Sequence, residues 1–119
     1  MAIYFTIKEM TRSRTAELYY IDNTPTEEVI GNLKKVMYIL DMVRVHMGKP
    51  IFVNSGYRCK KLNEIVGGVQ NSMHIKGLAA DFRTGGKEDI NTMFEFLKKI
   101  KKSSKLKSLS TIRLSFIWE

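Results

Sequence analysis

Hydrophobic and polar positions follow a helical period over much of the chain. In the stretch after Pro25, Val29, Leu33, Val36, Met37, Leu40, Val43 and Met47 recur at steps of three and four. That spacing predicts one main amphipathic helix, ending near Gly48 and Pro50. Its start is marked by Thr24 as cap, Pro25 at the first helical position, and Glu27 and Glu28 at the positive end of the dipole. A shorter helix should begin at Ile7: Thr6 can cap it, Glu9 can reach back, and Phe5 can pack on Met10 as a staple. Ile90, Met93, Phe94, Leu97 and Ile100 mark a last amphipathic helix with a lysine-rich end.

The remaining apolar runs are short and β-prone. Ile51 to Asn54, bounded by Pro50 and Ser55-Gly56, predicts a buried strand; so does Leu78 to Phe82, and Ile112 to Trp118 predicts a final one. Tyr57 to Val66 predicts a short helix stopped by Gly67-Gly68. Helices around a few short strands, without regular alternation, indicate an α+β domain. At 119 residues one core and one domain, residues 1–119, are expected.

Composition narrows the function classes. Hydrophobic residues make up 44% and charged residues 27%, a globular balance. Unbroken apolar stretches such as Val36 to Leu40 reach only five residues, whereas a spanning helix needs roughly 20. No membrane insertion is expected. The first nine residues lack a basic region followed by a long apolar stretch, so a secretory signal is not expected, which predicts a cytoplasmic protein. Cys59 is the single cysteine, which excludes an intrachain disulfide and a cysteine-rich zinc knuckle. Of the net charge of +8, most lies in Lys98 to Lys107, with six lysines and no acid; the rest of the chain holds 14 basic and 12 acidic residues. Without interleaved aromatics this run predicts a solvated face, and no specific nucleic-acid partner.

Candidate chemistry concentrates between Asn54 and Phe82. Among glycines that let backbone segments approach closely, His74 and Asp81 offer an imidazole nitrogen and a carboxylate, both ordinary zinc ligands at roughly 2.0–2.2 Å. Gly77 between them permits a loop to turn back into a strand so that the two converge. Asp81 in an apolar strand needs a partner, which is either a metal or, in a plain hydrogen-bonded pair, His74 itself. Arg58 carries a fork suited to a carboxylate or a developing oxyanion, or to an ordinary ion pair. Ser72 is placed to bind a ligand or to stabilise a turn.

Taken in order, Ser55-Gly56-Tyr57-Arg58, Asn63, Gly67-Gly68, Ser72-Met73-His74 and Gly77-Leu78-Ala79-Ala80-Asp81-Phe82 resemble the zinc D-alanyl-D-alanine carboxypeptidase family. The opening Phe5 to Ser13 and Asp22-Asn23-Thr24-Pro25 are similar to its small, phage-associated branch. The resemblance covers roughly residues 3 to 82. It implies a hedgehog/DD-peptidase-like fold, with a small antiparallel sheet flanked by helices. It also implies zinc as cofactor, His74 and Asp81 as its ligands, Arg58 as the catalytic group on the substrate carboxylate or scissile carbonyl, and Ser72 as a substrate contact. The implied activity is hydrolysis of peptidoglycan stem peptides, as a D-Ala-D-Ala carboxypeptidase or an endolysin, reaching the cell wall at lysis or during phage assembly. A non-catalytic wall-binding or phage structural module on the same scaffold is the alternative.

One part of the family pattern has no match. Family members supply a second histidine near the C-terminus, in a Trp-x-His-type strand, with the general base just before it. No histidine follows His74. A shortened chain, a degenerate relative and a ligand from another chain each account for this. His46, near the end of the main helix, is expected to serve the helix dipole rather than a metal. Asp89, Glu95 and Glu119 are carboxylates without supporting spacing; the first two are expected to face solvent, and Glu119 to be a frayed terminus.

Overall fold

A computed structural model of the chain describes residues 3–84, 89–103 and 111–116. Helix α1 spans Ile7–Thr11; Thr6 caps it, its hydroxyl accepting the Glu9 N–H. Phe5 and Met10 both enter the core beside it. A helix without a sequence-based expectation, α2, follows at Arg14–Leu18, capped by Ser13 through the Ala16 N–H. The long helix α3 covers Glu27–Met47 and stops at Gly48, whose left-handed φ of 67° ends the helical path.

Its N-terminus corrects the expected cap. Thr26, not Thr24, accepts the Val29 N–H, because Thr24 is drawn instead into a turn on the Asp22 carboxylate through both its N–H and its hydroxyl. A single strong local acceptor at Asp22 therefore moves the start two residues on. The hydrogen bonds from Thr24 also hold the Asp22 pKa below its ordinary value.

Strand β1 is Phe52–Ser55, α4 is Lys60–Ile65, β2 is Ala79–Arg83, α5 is Asp89–Lys102 and β3 is Arg113–Phe116. Helix α4 starts three residues later than expected; Tyr57 donates its N–H to the Met10 carbonyl and Cys59 donates its N–H to Asn23 Oδ1. Gly67, with φ of 78°, follows its end. The sheet order is β1-β2-β3. Strand β1 runs antiparallel to β2, with Val53 opposite Phe82 and Ser55 opposite Asp81. Strand β3 runs parallel to β2, with Ser115 opposite Asp81. The sheet is thus mixed rather than antiparallel: α5 carries the chain back across before β3 pairs, and a crossover of that length permits parallel pairing.

The core lies between α3 and the sheet. Leu33, Val36, Met37, Leu40 and Val43 from α3 meet Val53, Ala80 and Phe82, with Met93, Ile100 and Ile112 closing the far side. Phe94 departs from the expected stripe. It is largely exposed under the Lys98 ammonium, and Phe96 packs against the core in its place. In β2, Ala80 and Phe82 face the core, which puts Asp81 on the opposite face. Lys98 to Lys102 ride on the end of α5; residues 104–110, which carry the rest of the lysine run, and Ile117, Trp118 and Glu119 lie outside the described residues. No described helix is long and apolar enough to cross a membrane.

Candidate metal and substrate site

Three segments converge on one point: the loop after β1, the turn before β2, and β2 itself. The first is held by close backbone approach. At Gly56 a Cβ would sit 2.3 Å from the Met10 carbonyl oxygen, so only glycine lets α1 and the end of β1 come together. The Tyr57 N–H then donates to that same Met10 carbonyl at 2.7 Å. Between β1 and β2 the register shifts at Val53/Ser55, and the extra residue re-aims the end of β1 beside Asp81.

The turn before β2 is built from its own backbone. Gly77 adopts φ of 74°, and a Cβ there would meet Val29 Cγ1 at 2.9 Å and the Val29 carbonyl oxygen at 3.0 Å. Ser72 Oγ accepts the His74 N–H at 3.2 Å, and the His74 carbonyl accepts the Arg58 N–H at 3.1 Å. The first bond closes the turn on itself, and the second ties it to the Arg58 loop.

His74 is 9% exposed, and its ring orientation is decided by one bond. Nδ1 lies 2.5 Å from the Gly56 carbonyl oxygen. A carbonyl can only accept, so Nδ1 carries the proton and Nε2 is the free nitrogen of the neutral ring. Nε2 in turn lies 3.4 Å from Asp81 Oδ2. Two lone-pair-bearing atoms therefore face each other across a gap that only a cation, a proton or a metal ion, can make favourable. An imidazole whose far nitrogen is pinned to a carbonyl, beside a carboxylate, is the donor chemistry that zinc takes. The two residues fit such an ion as a pair. Among the described residues no group of three histidine, cysteine, aspartate or glutamate side chains forms around them.

Arg58 completes the site. Its Nη2 donates to Ser72 Oγ at 3.4 Å, while its Nε is buried without a hydrogen-bond partner among the described residues. Burial pulls the guanidinium pKa down and the Asp81 charge pushes it back up, which puts the cation within electrostatic reach of the carboxylate. The result is a cationic fork with unused donors beside a convergent acceptor pair.

The structure thus brings together Arg58, Ser72, His74 and Asp81, and leaves the other candidates elsewhere. His46 stacks on Phe96 at 3.9 Å between ring centroids, lining an apolar cavity of about 440 Å³ with Ile3, Tyr38 and Val45. Glu95 is exposed and pairs with Lys98 at 3.5 Å. The Asp89 side chain and Glu119 lie outside the described residues.

Two contributors were not assigned a role from sequence. The Gly56 carbonyl orients His74; the glycine was visible, but its carbonyl partner is not a property of sequence. Asn23 bridges the loop, its Nδ2 donating to the Thr11 and Tyr57 carbonyls and its Oδ1 accepting the Cys59 N–H, so Arg58 is braced on both sides. A polar residue between Asp22 and Thr24 gave no local signal for contacts so far along the chain.

Comparison with known proteins shows the family of the chain. Residues 3–113 match the model of a family described as Peptidase M15. Over 56 residues the chain is 45% identical to a protein named zinc D-Ala-D-Ala carboxypeptidase from Streptomyces albus G. The matched segment is 46% of this chain and 22% of that relative, so the chain spans well under two thirds of its length. No solved structure gives a significant match.

Proposed function

The chain belongs to the peptidase M15 family, and from that premise we propose that it is a zinc-dependent peptidase-type domain acting on peptidoglycan stem peptides. The observation that carries the proposal is the convergence of His74 Nε2 and Asp81 Oδ2 at 3.4 Å, with the other imidazole nitrogen committed to Gly56. His74 and Asp81 are the metal ligands in this reading. Zinc, when bound, supplies a Lewis acid that polarises a peptide carbonyl and activates water for attack.

The chain's own groups do the binding and orienting. The Gly56 carbonyl holds the Nδ1 proton and keeps Nε2 aimed at the site. Arg58, already leaning on Ser72, offers its remaining N–H groups, the buried Nε among them, to a substrate carboxylate or to the carbonyl under attack. Ser72 Oγ fixes the guanidinium at one edge and holds substrate at the other. A carboxylate-terminated D-Ala-D-Ala peptide presents the groups this arrangement recognises, a terminal anion and a neighbouring carbonyl. The hedgehog-type peptidase fold, a single domain over 1–119, and action at the cell wall on release by lysis or during phage assembly belong to the same reading. The remaining ligand and the general base are outside the four residues assigned.

Zinc content and peptide hydrolysis test it together. After dialysis against zinc and removal of free metal, roughly one ion per chain is expected, and His74→Ala should abolish it. A metal-free wild-type protein would overturn the proposal. The two-membered ligand set among the described residues favours one alternative, a wall-binding module without catalysis. Sedimentation with peptidoglycan without release of new amino termini would select that alternative.

A further inference from the structure

Helix α2 ends in an arrangement that ordinarily calls for glycine. The Ile21 N–H donates to the Ala16 carbonyl and the Tyr20 N–H to the Glu17 carbonyl, the paired bonds of a Schellman cap. In that cap the residue after the terminal position adopts left-handed backbone. Here it is Tyr20, with φ of 56°, the single non-glycine residue with positive φ among the described ones. A bulky side chain is disfavoured in that region by contact between Cβ and the backbone. The side chain gains no burial in return, because Tyr20 is 96% exposed.

Its neighbours are also turned outward. Leu18 and Tyr19 are 65% and 62% exposed, so three large apolar residues in succession stand in solvent. Arg12 and Arg14 are exposed on the adjoining turn. The cluster is tied to the candidate site by a short tether: three residues after Tyr20 comes Asn23, whose side chain holds the Tyr57 carbonyl and the Cys59 N–H on either side of Arg58. Three residues of chain span at most about 10 Å.

We propose that Leu18, Tyr19 and Tyr20 form an accessory platform that grips the glycan of a polymeric cell-wall substrate while the Arg58 loop takes its peptide. Phenol rings present a flat apolar face with a polar tip, which suits the alternating C–H faces and hydroxyl edges of linked sugars. An exposed apolar cluster rimmed by polar groups is also what a recognition surface looks like in general. This inference rests on the cell-wall reading above and extends it from the peptide to the saccharide.

The test compares binding to two substrates that differ in glycan. Wild type, Tyr20→Gly, and the double variant Tyr19→Ser/Tyr20→Gly are sedimented with purified insoluble peptidoglycan, and their binding to a glycan-free D-Ala-D-Ala-terminated peptide is measured by calorimetry. Glycine suits the left-handed position, so Tyr20→Gly should fold and melt no lower than wild type. Its affinity for peptidoglycan should fall about 5-fold or more, and that of the double variant further, with affinity for the free peptide changed much less. Undiminished sedimentation of both variants overturns the platform alone. Loss of affinity for single-stranded DNA with unchanged sedimentation also overturns it, in favour of a nucleic-acid surface. Failure of wild type to bind or cleave peptidoglycan overturns the platform together with the reading it rests on.

Discussion

Substituting Gly56 by alanine tests the central joint of the site. The added methyl carbon would sit 2.3 Å from the Met10 carbonyl oxygen and about as close as 3.0 Å to its carbon, all of it backbone that cannot rotate away. The loop must move, which costs about 1–3 kcal/mol as an overpacked contact. Two hydrogen bonds depend on its position, from Tyr57 N–H to Met10 and from His74 Nδ1 to Gly56. At about 1 kcal/mol each they bring the total to roughly 3–5 kcal/mol. That is a large share of the 5–15 kcal/mol typical of a domain, so melting should fall by on the order of 10 °C or more. Zinc affinity should fall as well, by about 10–100-fold, because the carbonyl that orients the imidazole is displaced. Thermal denaturation of the metal-free protein and competition against a chromophoric chelator measure the two effects separately. Gly31→Ala is the control: its Cβ meets nothing within 4 Å on an exposed helical position, so it should stabilise by about 1 kcal/mol. A Gly56→Ala protein with wild-type melting and wild-type zinc affinity would refute the reasoning.

Asp81→Asn replaces one of the two facing acceptors by a donor that can satisfy His74 Nε2; the metal-free variant should melt at or above wild type, yet bind zinc at least 10-fold more weakly in the same chelator competition. Unchanged zinc affinity would remove Asp81 from the site. Asp41, buried on α3, accepts the Ile3 and Tyr4 N–H groups at 2.8 and 3.0 Å; Asp41→Ala should cost about 2–3 kcal/mol and expose those two amides to hydrogen exchange, and retained protection would refute the anchor. Tyr20→Gly should raise stability by about 1 kcal/mol in urea denaturation, as relief of the left-handed backbone predicts; destabilisation would show that the ring supports the fold after all.

Local physics was legible in the residues. The stops at Gly48 and Gly67 and the Thr6 cap depend on neighbours within a few positions, so spacing reveals them. The α3 stripe followed from periodicity, and the three strands from short β-prone apolar runs. Where a second local partner competes, spacing misplaces the boundary: Asp22 captures Thr24, and the cap of α3 is Thr26. Phe94 fits the helical stripe of α5 yet faces solvent, because a period of 3.6 gives a face but not its width.

For the site, the residue types of His74, Asp81, Arg58 and Ser72 and the bend at Gly77 could be picked out from the chain, since a carboxylate in an apolar strand and a histidine among glycines are chemically conspicuous one at a time. Only the tertiary structure decided that the Gly56 carbonyl fixes the imidazole, that Asn23 braces the Arg58 loop from 34 and 36 positions away, that Asp41 holds the opening of the chain, and that β3 lies parallel to β2. Each of these is a backbone group or buried polar atom finding its partner across the fold. Such pairings follow from which segments the core forces together, and no short window of sequence contains both members.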